Sequence, residues 1–124
     1  MRFVAWSAIV IGTAMVAQWL LFVVLGQVPE FATEPFAIAF HLVAELVTAI
    51  ALIAAGVLLL RRRRHAVRLA LLAFGMLVYT AINSAGYFAE LGEWPMVAMF
   101  AGVLAVSVVA IGRLLAAPSS SVEA

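Results

Sequence analysis

Three residues in the second apolar segment, His41, Glu45 and Thr48, are of types that could do chemistry inside a membrane. Their spacings of four and three residues place them on one face of a helix, where an imidazole and a carboxyl group can meet. An ionisable group at the centre of a membrane helix costs ~2.5 to 3.5 kcal/mol on insertion scales, so such groups usually face the bundle interior and serve function. His41 and Glu45 could therefore shuttle a proton, orient a ligand or neutralise each other. A buried carboxyl group that titrates would also suit acid–base chemistry.

Further polar residues lie in the first and third apolar segments. Tyr79, Asn83 and Tyr87 follow one another at spacings of four, with Thr80 and Ser84 beside them. At a rise of ~1.5 Å per residue, Glu45 lies ~13 Å, Gln18 ~10 Å and Asn83 ~7 Å from the outer end of its helix. These depths predict one outward-opening polar chamber, with the candidate site residues Gln18, His41, Glu45, Thr48, Tyr79, Asn83 and Tyr87. For Gln18, Thr48, Thr80 and Ser84 a role in hydrogen bonding between helices is favoured over a role in a site.

Metal and haem sites are not expected from this sequence. The chain has no cysteine, which excludes disulfides, thiol catalysis and cysteine-ligated clusters. His41, Glu45, Met96 and Met99 could touch copper or iron, but they form no dense ligand motif. A haem between two histidines is not expected within one chain, because His65 is predicted at the opposite face of the membrane from His41.

The elements that must position these residues are four membrane-spanning helices. Of the 124 residues, 68% are hydrophobic and 10% are charged, and the mean hydropathy is +1.23, a composition that excludes a water-soluble domain. A span needs about 20 apolar residues, and four segments qualify: 3–25, 36–60, 69–88 and 96–115. Short connections make consecutive helices antiparallel, so we predict an all-α membrane bundle of four helices in one domain, residues 1–117. The tail, residues 118–124, is predicted to be short and disordered.

The distribution of charge predicts the orientation. All seven basic residues are arginines, namely Arg2, Arg61 to Arg64, Arg68 and Arg113, and all fall on one side of the predicted bundle. Glu30, Glu34, Glu90 and Glu93 fall on the other side. Since cytoplasmic loops collect arginine and lysine, we expect both termini in the cytoplasm and a multi-pass protein of the plasma (inner) membrane. The first segment is too long for the apolar region of a signal peptide, so we expect a retained span.

The same features indicate how the helices pack and what the arginines do. Small residues allow membrane helices to approach closely, and candidates occur on every span: Ala8 and Gly12; Ala51, Ala55 and Gly56; Gly75; Ala98 and Gly102. The run Arg61 to Arg64 is typical of a topology anchor. It could also hold anionic lipid headgroups.

The segment AELVTAIALIAAGVLLLRRRR, residues 44–64, resembles the DoxX-like group of small four-span membrane proteins, part of the wider DoxD-like superfamily. The resemblance continues to about Ile82, and Glu45 and Gly56 are the positions that carry over. It implies a four-helix bundle that serves as an accessory subunit in quinone-linked or thiol-linked redox systems.

Several functions are consistent with these features, and an enzymatic activity is left open. The first is a redox-associated or small-molecule-binding accessory subunit, with an apolar ligand such as a quinone hydrogen-bonded to His41, Glu45, Asn83 or Tyr79. The second is a proton-coupled transporter similar to the small multidrug exporters. The third is a structural or assembly subunit of a larger membrane complex, and the fourth is an intramembrane isomerase or cyclase with Glu45 as the acid. The expected partners are the lipid bilayer, an apolar small molecule, and a membrane protein or second copy, without nucleic acid.

Overall fold

The computed structural model describes residues 1–26 and 30–117, without the side chains of residues 30 and 31. Four long helices cross the molecule: α1 (Arg2–Val24), α3 (Pro35–Leu60), α4 (Ala66–Glu90) and α5 (Trp94–Leu115). A single turn, α2 (Glu30–Thr33), precedes α3. Pro29, Pro118 and the predicted tail 118–124 lie outside the described residues, as does the side chain of Glu30.

The predicted all-α four-helix bundle is confirmed. Each long helix is sufficiently long and apolar to span a membrane, as expected for a multi-pass membrane protein. The helices pack in a cycle in which α1 contacts α3, α3 contacts α4, α4 contacts α5, and α5 contacts α1 over a shorter stretch. The predicted spans match the helices closely, except that α4 begins at Ala66 and includes Arg68, which was predicted to lie in a loop.

The helix ends follow from local residue chemistry. Pro35 and Pro95 lie in the first turn of α3 and α5, where a missing backbone N–H costs nothing. Helix α4 ends at Glu90, and the positive φ of 72° at Gly92 lets the N–H groups of Gly92 and Glu93 bond back to the carbonyls of Ala89 and Phe88. Helix α3 ends in the same motif, with Arg62 at a φ of 51° in the position that glycine usually takes.

The closest helix contact is between α1 and α3. A Cβ atom built on Gly56 would lie 2.6 Å from the Ala5 carbonyl oxygen, and one on Gly12 would lie 2.8 Å from the Ala49 carbonyl oxygen. Both glycines therefore let the two backbones approach, as predicted for these two residues. The prediction is wrong for Gly75 and Gly102, where a Cβ would meet nothing within 4 Å. Ala98 is also exposed, so α5 packs instead through Ser107, Ala110 and Leu114.

The hydrophobic core lies in the half of the bundle nearer the arginines. It is built mostly from alanine and leucine with Phe74 of α4, the bulkiest fully buried residue. The buried polar residues Glu45, Thr48, Thr80 and Ser84 lie outside this core, toward the opposite end. The bundle is thus divided into an apolar half and a half that holds the candidate site.

Candidate functional site

Glu45 is the centre of the candidate site and lies inside the bundle. Helix α3 turns this residue toward its neighbours together with Thr48, Ala49 and Leu52, and only 5% of Glu45 is exposed. The carboxyl group is therefore enclosed rather than open to a chamber. It lies beside side chains of α1 and α4 and beside His41 of its own helix. A buried carboxyl group needs hydrogen-bond donors to offset its lost hydration.

Two neighbouring helices supply those donors. Trp19 of α1 and Thr80 of α4 lie beside the Glu45 carboxyl group, and each has a side-chain donor that can serve it. The indole N–H and the threonine hydroxyl are the donating groups, because the tryptophan side chain has no other polar group. The Glu45 carboxyl group thus joins α1, α3 and α4 at one point.

His41 lies one turn of α3 before Glu45, toward the end of the bundle opposite the arginines. Its Nε2 atom is 3.7 Å from the Glu45 Oε1 atom, and the imidazole is 36% exposed. A distance of 3.7 Å is longer than a hydrogen bond, so the contact is an ion pair only when the imidazole is protonated. The ring of Trp19 meets the imidazole edge to face, with 5.7 Å between ring centroids. The predicted face of His41, Glu45 and Thr48 therefore exists, with Trp19 covering one side of it.

The hydroxyl of Thr48 faces its own helix rather than a ligand. It donates a hydrogen bond of 2.8 Å to the carbonyl oxygen of Ala44. This back-bond satisfies a polar group that is almost fully buried, but it lies within α3, whereas the role favoured for Thr48 was hydrogen bonding between helices.

The structure does not bring Tyr79, Asn83 and Tyr87 to the site. All three residues are exposed, Tyr79 to 71%. The placement of these residues in the chamber is corrected, because the inward face of α4 is the alanine-rich one that carries Thr80 and Ser84. Close helix packing favours small side chains, which the stripe with Thr80 and Ser84 has and the stripe with Tyr79 does not.

The prediction that Gln18 is the α1 residue of the site is also corrected. The α1 residue that reaches Glu45 and His41 is its neighbour Trp19. One residue on a helix is a rotation of ~100°, which separates the two side chains around α1. The sequence pattern could have indicated that Trp19 faces α3. The buried residues Ala5, Ala8 and Gly12 are three and four residues apart, and the same spacing continues to Met15 and Trp19.

The described side chains include no group of three histidine, aspartate or glutamate residues placed to hold a metal ion. The chemistry available at this site is consequently that of a buried carboxyl group beside a half-exposed imidazole. Together they can donate, accept or transfer a proton and can orient a polar group of a bound molecule.

Comparisons with known proteins identify the family. No curated protein and no solved structure matches the chain. The family model described as a domain of unknown function, DUF8058, matches residues 1–122. Since this match covers nearly the whole chain, the protein belongs to the DUF8058 family.

Proposed function

We propose that this protein binds a lipid-soluble molecule with a planar, carbonyl-bearing headgroup, of which quinones are the type, at His41 and Glu45. The observation that carries the proposal is the half-exposed imidazole beside an enclosed carboxyl group. A polar group that faces hydrocarbon is costly unless it finds a hydrogen-bond partner. Nε2 is turned toward Glu45, which leaves the Nδ1–H group of His41 to donate to a carbonyl oxygen of the bound molecule.

The surface beside His41 has the shape that a flat headgroup requires. Ala37 and Ala44 lie about one turn before and after His41 on α3, and both are exposed. Phe40 is an exposed aromatic residue on the adjoining strip of the helix. Small side chains next to an aromatic ring leave room for a planar group to stack against α3 from the lipid side.

Glu45 would set the state of the imidazole in this site. Its carboxyl group is fixed by Trp19 and Thr80 and so holds a constant position beside Nε2. When that carboxyl group is protonated it can turn its O–H toward Nε2, and the imidazole then carries its own proton on Nδ1. The resemblance of residues 44–64 to DoxX-like proteins supports an accessory role in a quinone-linked system. The charge distribution supports a plasma-membrane location with the arginine end in the cytoplasm.

The test uses Trp19 as a reporter, because its ring lies 5.7 Å from that of His41. A short-chain benzoquinone is titrated into the purified protein, and saturable quenching of tryptophan fluorescence is measured. We expect His41→Leu to weaken binding about tenfold, as one lost hydrogen bond would, and Glu45→Gln to weaken it less. Trp19→Phe should remove the quenching signal.

His65→Leu is the matched control, because His65 lies at the arginine end of the bundle, between α3 and α4. It should bind the quinone as the unaltered protein does. Equal affinity of His41→Leu and the unaltered protein would refute the proposal, as would an equal loss in His65→Leu. Circular dichroism of each variant verifies that the bundle is intact.

We also propose a second function, the assembly role, which is favoured by the outward face of α4. Asn83 is exposed within the span and lies between Gly75 and Gly86 along α4. A Cβ atom added to either glycine would meet nothing within 4 Å. An asparagine amide is both donor and acceptor, and copies inserted in one orientation place Asn83 at equal depth. The occupant that fits this face is a second copy of the chain, with Asn83 paired to Asn83 and the glycines allowing close approach.

Asn83→Leu is expected to weaken such a dimer by about threefold to thirtyfold, the loss of one interhelical hydrogen bond of ~0.6 to 2 kcal/mol. Dimer and monomer are quantified in detergent at several protein concentrations. Gln18→Leu removes a comparable amide from α1 and should leave the dimer unchanged. A monomer at all concentrations would contradict the assembly role, whereas binding to a different membrane protein through the same face would identify another occupant.

A further inference from the structure

A cleft opens between α1 and α5 at the arginine end of the bundle, far from His41 and Glu45. Its volume is about 480 Å³, and its lining is mostly apolar: Phe3, Trp6, Val10, Ile11 and Val106, with Ser7 beside them. The cleft exists because the packing stripe of α1 faces α3, while α1 and α5 meet only over a short stretch. Trp6 is exposed beside the cleft.

Arginines lie around the end of this cleft that is nearest the start of α1. Arg2 lines the cleft and also an adjoining smaller pocket of about 170 Å³, which Arg62 lines as well. The guanidinium group of Arg113 lies 4.8 Å from the centroid of the Phe3 ring, itself part of the cleft wall. Arg2 is therefore shared by a positively charged pocket and an apolar groove that runs along α1 from Phe3 to Val10.

We infer that this cleft binds one anionic phospholipid. The phosphate group lies in the pocket between Arg2 and Arg62, and one acyl chain runs along the groove past Trp6 to Val10. Guanidinium groups bind phosphate through paired hydrogen bonds and charge. Tryptophan is favoured at the membrane interface, where its ring contacts acyl chains. Phe3 and Val10 are seven residues apart, so the groove spans ~10 Å of helix and takes the upper part of an acyl chain.

The charge complementarity favours an anionic lipid over a zwitterionic one. A basic residue near a membrane surface contributes about 1 kcal/mol toward an anionic lipid, and at least two arginines line the pocket. A free phosphate ion would use the arginines alone, whereas a lipid uses both pocket and groove. Binding at this cleft is independent of the site at His41 and Glu45.

Native mass spectrometry of the full chain in detergent tests this inference. Phosphatidylglycerol and phosphatidylcholine with identical acyl chains are added in separate series, and inorganic phosphate is added as a competitor. We expect one phosphatidylglycerol to bind at least tenfold more tightly than phosphatidylcholine. The double variant Arg2→Gln Arg62→Gln should lose about 30-fold in affinity, and inorganic phosphate should not displace the lipid at similar concentration.

Two matched controls separate the cleft from general surface charge. The double variant Arg63→Gln Arg64→Gln also removes two positive charges, both from the loop that contains Arg62. It should leave binding unchanged. Ser7→Phe fills the groove and should abolish binding, while Val108→Phe, on the exposed surface of α5, should not. Equal loss in the Arg63 and Arg64 variant, equal binding of both lipids, displacement by phosphate, or full binding by Ser7→Phe would each overturn the inference.

Discussion

Replacing Gly56 with alanine is expected to lower the free energy of unfolding by about 1 to 3 kcal/mol, the range observed when a methyl group is forced into a packed site. The new Cβ atom would lie 2.6 Å from the Ala5 carbonyl oxygen and 2.5 Å from the Cγ1 atom of Ile9. The Ile9 side chain can rotate away, but the backbone of α1 cannot move without opening the contact between α1 and α3. Gly12→Ala should have a similar effect, because its Cβ would lie 2.8 Å from the Ala49 carbonyl oxygen.

The control variants are Gly102→Ala and Gly112→Ala, which also add one methyl group to a helix. A Cβ at either position meets nothing within 4 Å. These variants should be neutral or slightly stabilising, since alanine favours a helix by up to about 1 kcal/mol over glycine. Reversible unfolding in mixed micelles measures all four variants. A Gly56→Ala protein as stable as Gly102→Ala would contradict the close contact of α1 with α3.

The helices themselves could be predicted because hydrophobic length is a direct signal of membrane spans. Their ends were less accessible, as the start of α4 illustrates. Hydropathy places the start at Leu69, yet the helix begins at Ala66 and includes Arg68. The backbone continues its hydrogen bonds after the apolar run has ended, because a charged side chain can reach out from a helix end. Hydropathy therefore predicts the part of a helix that lipid requires and not the whole helix.

The inward faces were harder to predict, and α4 explains why. This helix has two polar stripes about 100° apart, one with Tyr79 and Asn83 and one with Thr80 and Ser84. Polarity alone did not indicate which of the two stripes faces the other helices. The buried stripe is the one shared with Ala70, Ala73 and Ala81, so the size of neighbouring side chains determined the orientation. On α3 the prediction of His41, Glu45 and Thr48 needed no such choice, because a carboxyl group has no tolerable position in lipid.

Replacing Glu45 with alanine is expected to cost about 2 to 4 kcal/mol of stability, combining a cavity with two donors left without an acceptor. Trp19 and Thr80 present side-chain donors to the Glu45 carboxyl group, and Thr80 is buried, so water cannot replace the acceptor that its hydroxyl would lose. Glu45→Gln retains one acceptor oxygen at the same position and should cost about 1 kcal/mol. The difference in stability between Glu45→Ala and Glu45→Gln therefore measures mainly the contribution of the acceptor oxygen at position 45.

A double-mutant cycle locates that contribution within the bundle. Trp19→Phe removes the indole N–H, and the coupling between Trp19→Phe and Glu45→Ala should be about 0.6 to 1.7 kcal/mol, the size of a hydrogen bond between membrane helices. Glu34→Ala is the matched control, because Glu34 is exposed at the start of α3 and makes no side-chain capping hydrogen bond there. If Glu45→Ala cost no more than Glu34→Ala, the carboxyl group would not join α1, α3 and α4. A measured coupling would mean that the residue best suited to chemistry also fixes the helices on which the proposed ligand site depends.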